Sequence, residues 1–226
     1  MPPADPAVSR KPSPQALCGI IRDQVISGVF VPGQRLTEEV LAEQHGVSRI
    51  PIREALRLLE AEGFVRVQPY YGTFVAELSA GEAADLLEIR GVLEPLAASR
   101  AADRRTPEMV EALEDVLARG RAAVAAGRLR DLPGLNTAFH GLLARASGNT
   151  SLDQLIDQLR HKIAWVYAVE LTRRAGDSWV EHQQILTAVV RGDADSARAL
   201  MVAHVRGAEA AYRLRAEPAT APSSDR

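Results

Sequence analysis

Apolar residues recur at helical spacing along most of this chain, and the sharpest case is VSRIPIREALRLLEAEGF, Val47 to Phe64. Ile52, Ala55, Leu56 and Leu59 form one stripe there. Ser48 supplies a start signal, Pro51 fits only in a first turn, and Gly63 after Glu62 supplies a stop. Arg49, Arg53 and Arg57 recur at every fourth position and line an exposed face near the helix start. Ahead of this stretch, Ser13 to Gly28 predicts a first helix, capped by Ser13, with Pro14 in the first turn and Leu17, Ile20, Ile21 and Val25 facing inward. VFVPGQRL reads as a connector with a Pro-Gly turn. Thr37 then caps a short helix, EEVLAEQH, stopped by Gly46.

Beyond Phe64 the period changes. Val65-Arg66-Val67-Gln68 and Thr73-Phe74-Val75-Ala76 alternate like strands around a turn at Pro69-Tyr70-Tyr71-Gly72. Three helices followed by a hairpin predict a winged helix-turn-helix over residues 13–77, whose basic helix can lie in a DNA major groove. From Ser79 onward the pattern is helical, with helices expected near 80–103, 107–126, 131–147, 150–174, 178–191 and 194–214. Thr106 with Pro107, Asn149 after Gly148, a capping box of Ser178 with Glu181, and Asp193 mark helix starts. Pro95 is expected to kink the first of them. No strand pattern and no fixed-period repeat appears. The expected fold is therefore mainly α: an N-terminal winged helix-turn-helix followed by an all-α helical bundle over 78–215. The Pro-containing ends, 1–12 and 216–226, are expected to be disordered tails.

Composition narrows the function. The 226 residues carry a net charge of −2, so DNA binding must rest on a local basic patch, not on a global field. The one cysteine, Cys18, excludes an internal disulfide, fits a reducing cytoplasm and sits in an apolar pattern as a small core residue. No uncharged apolar run reaches membrane-spanning length, and the N-terminus lacks the apolar core of a signal peptide. The expected location is the cytoplasm.

In the second domain the informative residues are polar groups on apolar faces. Asn136 and His140 share a face with Phe139 and Leu143; His182 with Ile185, Leu186 and Val189; His204 with Ala197, Leu200, Met201 and Ala208. An unpaired buried imidazole costs about 1–3 kcal/mol. Three such costs are easier to bear if the side chains meet, and a divalent metal would satisfy them together. Each histidine alone also fits a core residue with a local hydrogen bond. His161, beside Asp157 and Gln158, reads as solvated, and His45 as a helix-end residue. Arg90 lies one turn before Glu94, either as an intrahelical pair or as a guanidinium ready for a ligand carboxylate. Trp165 and Tyr167 read as bundle interior. Three inward histidines could also serve a metal-dependent hydrolase, but no HExxH is present and Glu181 points about a third of a turn away from His182.

The run GVFVPGQRLTEEVLAEQHGVSRIPIREALRLLEAEGFVRVQPYYGTFV resembles the DNA-binding domain of GntR-family bacterial transcription regulators, most specifically over GVSRIPIREALRLLEAEGFV. NTAFHGLLARASGN and EHQQILTAVVRGDADSARALMVAHV resemble the FCD effector domain of the FadR subfamily. Together the resemblances span about residues 14 to 212. The first implies that Arg49 and Arg53 contact base edges and phosphates, with Ser48 and the wing assisting; Arg57, Thr37 and Gly72 complete the candidate DNA contacts. Glu39 departs from the pattern, standing where members can carry a DNA-contacting Arg. So do Tyr70 and Tyr71, which replace the more usual Gly, Arg or His of the wing tip. The second resemblance implies His140, His182 and His204 as ligands of a divalent metal, zinc or nickel. Asn136 stands where many members have Asp, and its neutral amide is a weaker donor. The expected function is a transcription regulator, not an enzyme. It would be a homodimeric repressor that binds an inverted-repeat double-stranded operator. A small carboxylate effector would control it, held by Arg90 and Asn136 with the metal or by the same pocket without it.

Overall fold

The computed structural model describes residues 11–216; the ends 1–10 and 217–226, and the side chains of 167–173 and 214–216, lie outside the described residues. Most of the two expected tails and the side chain of Tyr167 therefore fall outside it. The chain divides into two compact units, with the boundary between Glu77 and Leu78.

In the first unit the Ser13 hydroxyl accepts from the Ala16 amide at 3.2 Å, and Pro14 opens α1 (Pro14–Ile26). A short strand, β1 (Arg35–Leu36), precedes α2 (Glu38–His45), which Gly46 ends in the left-handed conformation. The turn leads into α3 (Arg49–Ala61), then β2 (Val65–Gln68) and β3 (Gly72–Val75). Helix α3 packs on α1 and α2. Its apolar stripe, Ile52, Ala55, Leu56 and Leu59, meets a core of Leu17, Ile21, Val25, Leu41 and Phe64, all nearly or wholly buried. Three expectations are corrected. Thr37 and Ser48 stand at the N-caps, but neither side chain makes a capping bond, which leaves both hydroxyls exposed to water. Ile20 lies at the surface, 41% exposed. The segment read as connector contributes a third strand: the sheet order is β1-β3-β2, with Arg35 opposite Phe74 and Leu36 opposite Thr73. A two-residue strand is too short to carry any period, so its pairing shows only in the folded chain.

The second unit contains α4 (Ala80–Arg104), α5 (Pro107–Ala125), a 3-10 turn at Leu129–Asp131, α6 (Leu132–Ala146), α7 (Thr150–Arg173), α8 (Ala175–Arg191) and α9 (Ala194–Ala216). A capping box of Ser79 and Glu82 starts α4, which runs through Pro95. Thr106, Asn149 and Asp193 each accept from an amide of the following first turn, as expected of caps. Ser178 does not. It is buried inside α8, its amide bonded to the Arg174 carbonyl at 2.8 Å, because the helix begins three residues earlier than expected. Helix α4 packs against α9, α6, α7 and α8, and α5 closes over α6 and α8. Ala98, Ala101 and Ala102 allow the close approach around α4, and Leu113, Leu117, Phe139, Leu143 and Ile185 fill the core. Among the described residues no helix is long and apolar enough to cross a membrane.

Candidate functional site

Each unit carries a candidate site. In the first, Arg49, Arg53 and Arg57 line the exposed face of α3 as the sequence predicts. Two of them already face carboxylates of α2. Arg53 Nε and Nη2 donate to the two oxygens of Glu38 at 2.8 and 2.7 Å, and Arg49 Nη2 donates to Glu39 Oε1 at 2.5 Å. The hydrogen bond from Arg53 holds the Glu38 carboxyl below its usual range. Glu39 thus faces Arg49 across the turn. Gly72 sits at the start of β3 with a φ of 109°, open only to a residue without Cβ. Tyr70 and Tyr71 project from the wing tip, 105% and 69% exposed. The pairing was missed in the sequence, where Glu39 reads only as standing where family members can carry a DNA-contacting Arg and Glu38 is not singled out.

In the second unit the three histidines come together. His140 on α6, His182 on α8 and His204 on α9 are buried, and one nitrogen from each lies within 4.8 Å of the others. Asn136, one turn before His140, is buried on the same helix. Phe139 stacks on the His182 ring at 4.3 Å between centroids, and Trp179, which the sequence reading passed over, sits 4.8 Å from it. The signal for Trp179 was its place one turn before His182. Gly120 of α5 makes room for that indole. Trp165 and His161 are half-buried on α7, and His161 is not part of the cluster.

Carboxylates and arginines orient the rings. Glu181 Oε2 lies 2.7 Å from His204 Nδ1, and its other oxygen accepts from Arg174 Nη2 at 2.7 Å. A carboxylate only accepts here, so His204 Nδ1 carries the proton and Nε2 presents a lone pair inward. Glu94 is bonded to Arg90 Nε at 2.9 Å, and its Oε2 lies 3.1 Å from His140 Nδ1, close enough for attraction but outside hydrogen-bond geometry. Burial, the largest single effect, would raise the Glu94 pKa; Arg90, His140 and His204 together outweigh it and hold the group at about 2. Arg90 makes the intrahelical pair with Glu94 that the first of its two sequence readings expects. Its Nη2 lies 3.2 Å from His140 Nε2 and 3.5 Å from His204 Nε2.

The donor set suits a divalent metal. Burial chiefly drives the His204 pKa down to about 4 and that of His182 well below its usual value, so both rings are neutral at pH 7, the form that can ligate a metal. His182 Nε2 and His204 Nε2 stand 3.3 Å apart. Two lone pairs cannot face each other at that distance without a proton or a cation between them. His182 Nδ1 is buried without a hydrogen-bond partner. A hydrolase would need a free general base, but Glu181, adjacent to His182, is engaged by His204 and Arg174.

Comparison with known proteins assigns both units. Residues 15–75 match the family described as bacterial regulatory proteins, gntR family, and residues 85–207 match the FCD domain. The chain is 32% identical to the HTH-type transcriptional regulator YdhC of Bacillus subtilis, over 86% of this chain and 89% of that one. It is also 32% identical to LutR of the same organism, over 81% and 93%. Among solved structures, a GntR transcriptional regulator from Rhodococcus sp. RHA1 superposes with a TM-score of 0.78 at 25% identity, covering 91% of this chain and 99% of that one. Escherichia coli McbR/YncC shares the fold at a TM-score of 0.77 and 23% identity, covering 90% and 98%. These relatives are regulators and not enzymes, which removes the hydrolase alternative. The chain belongs to the GntR family of bacterial transcription regulators, with a DNA-binding helix-turn-helix domain followed by an FCD domain.

Proposed function

We propose that this regulator is a cytoplasmic homodimeric repressor whose hold on an inverted-repeat operator is controlled by a small carboxylate bound in the FCD domain. On the DNA side, Arg49, Arg53 and Arg57 face outward on α3, the Thr37 and Ser48 hydroxyls are left to water, and Gly72 stands at the wing turn with a φ of 109°. One winged helix reads one half-site, so a two-fold operator calls for two copies. A relative 26% identical over 87% of this chain is named as the transcriptional repressor RspR of Escherichia coli.

On the effector side, the observation that carries the reading is the convergence of three buried histidines from three helices. His140, His182 and His204 would hold zinc or nickel, with Asn136 as a weak oxygen donor. The metal, when bound, offers a Lewis-acid position for a carboxylate, and Arg90 offers a charged fork beside it. A binding preference for one state of the protein then shifts operator affinity by no more than that preference. The contact of Arg90 Nη2 with His140 Nε2 favours a second, metal-free reading, in which the same pocket grips the carboxylate by hydrogen bonds.

Elemental analysis of untagged, chelator-free protein separates the two. About one divalent ion per chain, lost in His204→Ala, supports the metal reading. No metal after soaking with zinc and nickel leaves the metal-free one. The DNA assignment falls if Arg49→Ala and Arg53→Ala both bind operator as tightly as wild type.

A further inference from the structure

The pairing register of the wing sorts its side chains onto two faces. Directly opposed residues of a ladder project from the same side. Arg35 on β1 and Arg66 on β2 both oppose Phe74 on β3, so the three form one row across the sheet. Gly72 and its partner Gln68 stand on the same side. The other side carries Leu36, Val65 and Val75, which are 5%, 3% and 0% exposed and belong to the core. The arginine side therefore faces water, and Arg35 and Arg66 are both exposed.

Neither of these arginines forms an ion pair with a described residue, whereas Arg49 and Arg53 of α3 are each matched by a carboxylate of α2. Together with exposed Arg57 of α3, Arg35 and Arg66 carry much of the positive charge of the unit that no described carboxylate pairs. The Arg35 guanidinium is laid over Gly72, where an added Cβ would meet Nε at 3.1 Å. Just beyond it Tyr70 holds a φ of 69°, the one positive value among described non-glycine residues, with its ring fully solvated. A backbone strained in this way persists where the surroundings impose it, and such positions cluster at functional sites.

We propose that this outward face of the three-stranded sheet is a DNA-backbone contact surface in which Arg35 and Arg66 each engage a phosphate of the duplex. The inference rests on the DNA-binding reading above and adds a strand and two residues to it. The two arginines stand two strand spacings apart, about 10 Å between backbones, with half-buried Phe74 between them. They reach separate phosphates and act independently. A guanidinium fork suits a phosphate better than an ammonium does. Such contacts carry no sequence information of their own and set the register of the neighbouring helix.

The test uses the full chain and two labelled duplexes, one selected by the wild-type protein from a random-sequence pool and one of unrelated sequence. Dissociation constants are measured from 50 to 200 mM salt for wild type, Arg35→Ala, Arg66→Ala, the double variant and Arg49→Ala. Each wing variant is expected to weaken both duplexes by a similar factor. Each is also expected to flatten the salt slope by about one, so that the loss of affinity across this range shrinks about threefold per arginine. Arg49→Ala is expected to weaken the selected duplex most. Unchanged affinity and slope in the double variant, with Arg49→Ala still impaired, overturns the wing contact and leaves the α3 assignment standing. Failure of the wild type to bind any duplex overturns both. Both arginines are exposed, so folding is not at stake, and circular dichroism verifies it.

Discussion

Glu181 holds His204 by its outer nitrogen: Oε2 lies 2.7 Å from Nδ1, while Oε1 is anchored by Arg174 at 2.7 Å. A carboxylate behind a histidine fixes the tautomer and raises the basicity of the inner nitrogen. Loss of such a partner typically costs 10–100-fold in metal affinity. Glu181→Gln keeps an acceptor but loses the charge, so zinc affinity is expected to fall by about tenfold with the fold intact. Competition against a chromogenic chelator measures it. An unchanged affinity would remove His204 from the ligand set.

The histidine cluster sets the acid limit of stability. In the unfolded chain a histidine takes up its proton near pH 6.5; in the folded chain His204 does so only at about 4 and His182 well below its usual value, chiefly because of burial. Between those values the unfolded state binds more protons, so stability is full above about pH 6.5 and drains as pH falls. His204 alone accounts for about 3 kcal/mol of that loss. Glu94, lowered to about 2, begins to lose its own contribution only below its unfolded value of 4.5. Urea melts of chelator-treated protein at pH 7.5, 6 and 5 are expected to show a steady decline. A flat profile would mean that the cluster is protonated while folded.

What the sequence showed and hid follows from range. Burial was legible for His140, His182 and His204, because each has apolar neighbours three or four positions away on its own helix. The α3 arginines were legible for the same reason. Their partners were not. Glu181 stands beside His182 in the chain but meets His204 of the next helix, and Glu39 reaches Arg49 across a turn. Neither contact leaves a period. Local signals also misled: Ser178 and Glu181 have capping-box spacing, yet α8 starts at Ala175 and Glu181 is spent on the histidine site.

Gly120 is a packing requirement of the same site. A Cβ there would lie 1.4 Å from Trp179 Nε1, and the indole rests against His182. Alanine improves helix propensity by about 1 kcal/mol, but forcing the ring aside costs about 1–3 kcal/mol or more. Gly120→Ala is expected to lower the thermal midpoint by several degrees and to weaken zinc binding with it. Gly19→Ala, on an open helix surface with nothing within 4 Å, serves as the control and is expected to be neutral or mildly stabilising. A Gly120→Ala protein as stable as wild type would show that Trp179 is free to repack.

Glu39 is the residue whose removal should strengthen DNA binding. Its pair with Arg49 is exposed, 68% and 59% for the two side chains, so it adds less than about 1 kcal/mol to the fold. Opposite a phosphate backbone it does two unfavourable things: it neutralises Arg49 and presents a negative charge of its own. Glu39→Gln is expected to leave the thermal midpoint unchanged and to tighten binding to an unrelated duplex about 3–10-fold at low salt, with the gain fading as salt rises. Glu38 differs, since its two oxygens grip Arg53 at 2.8 and 2.7 Å and fix the direction of that fork. Glu38→Gln is therefore expected to loosen discrimination between the selected and unrelated duplexes more than it changes affinity for either. If Glu39→Gln instead weakens binding to the selected duplex, the pair persists on DNA, and Glu39 serves to aim Arg49 at its base.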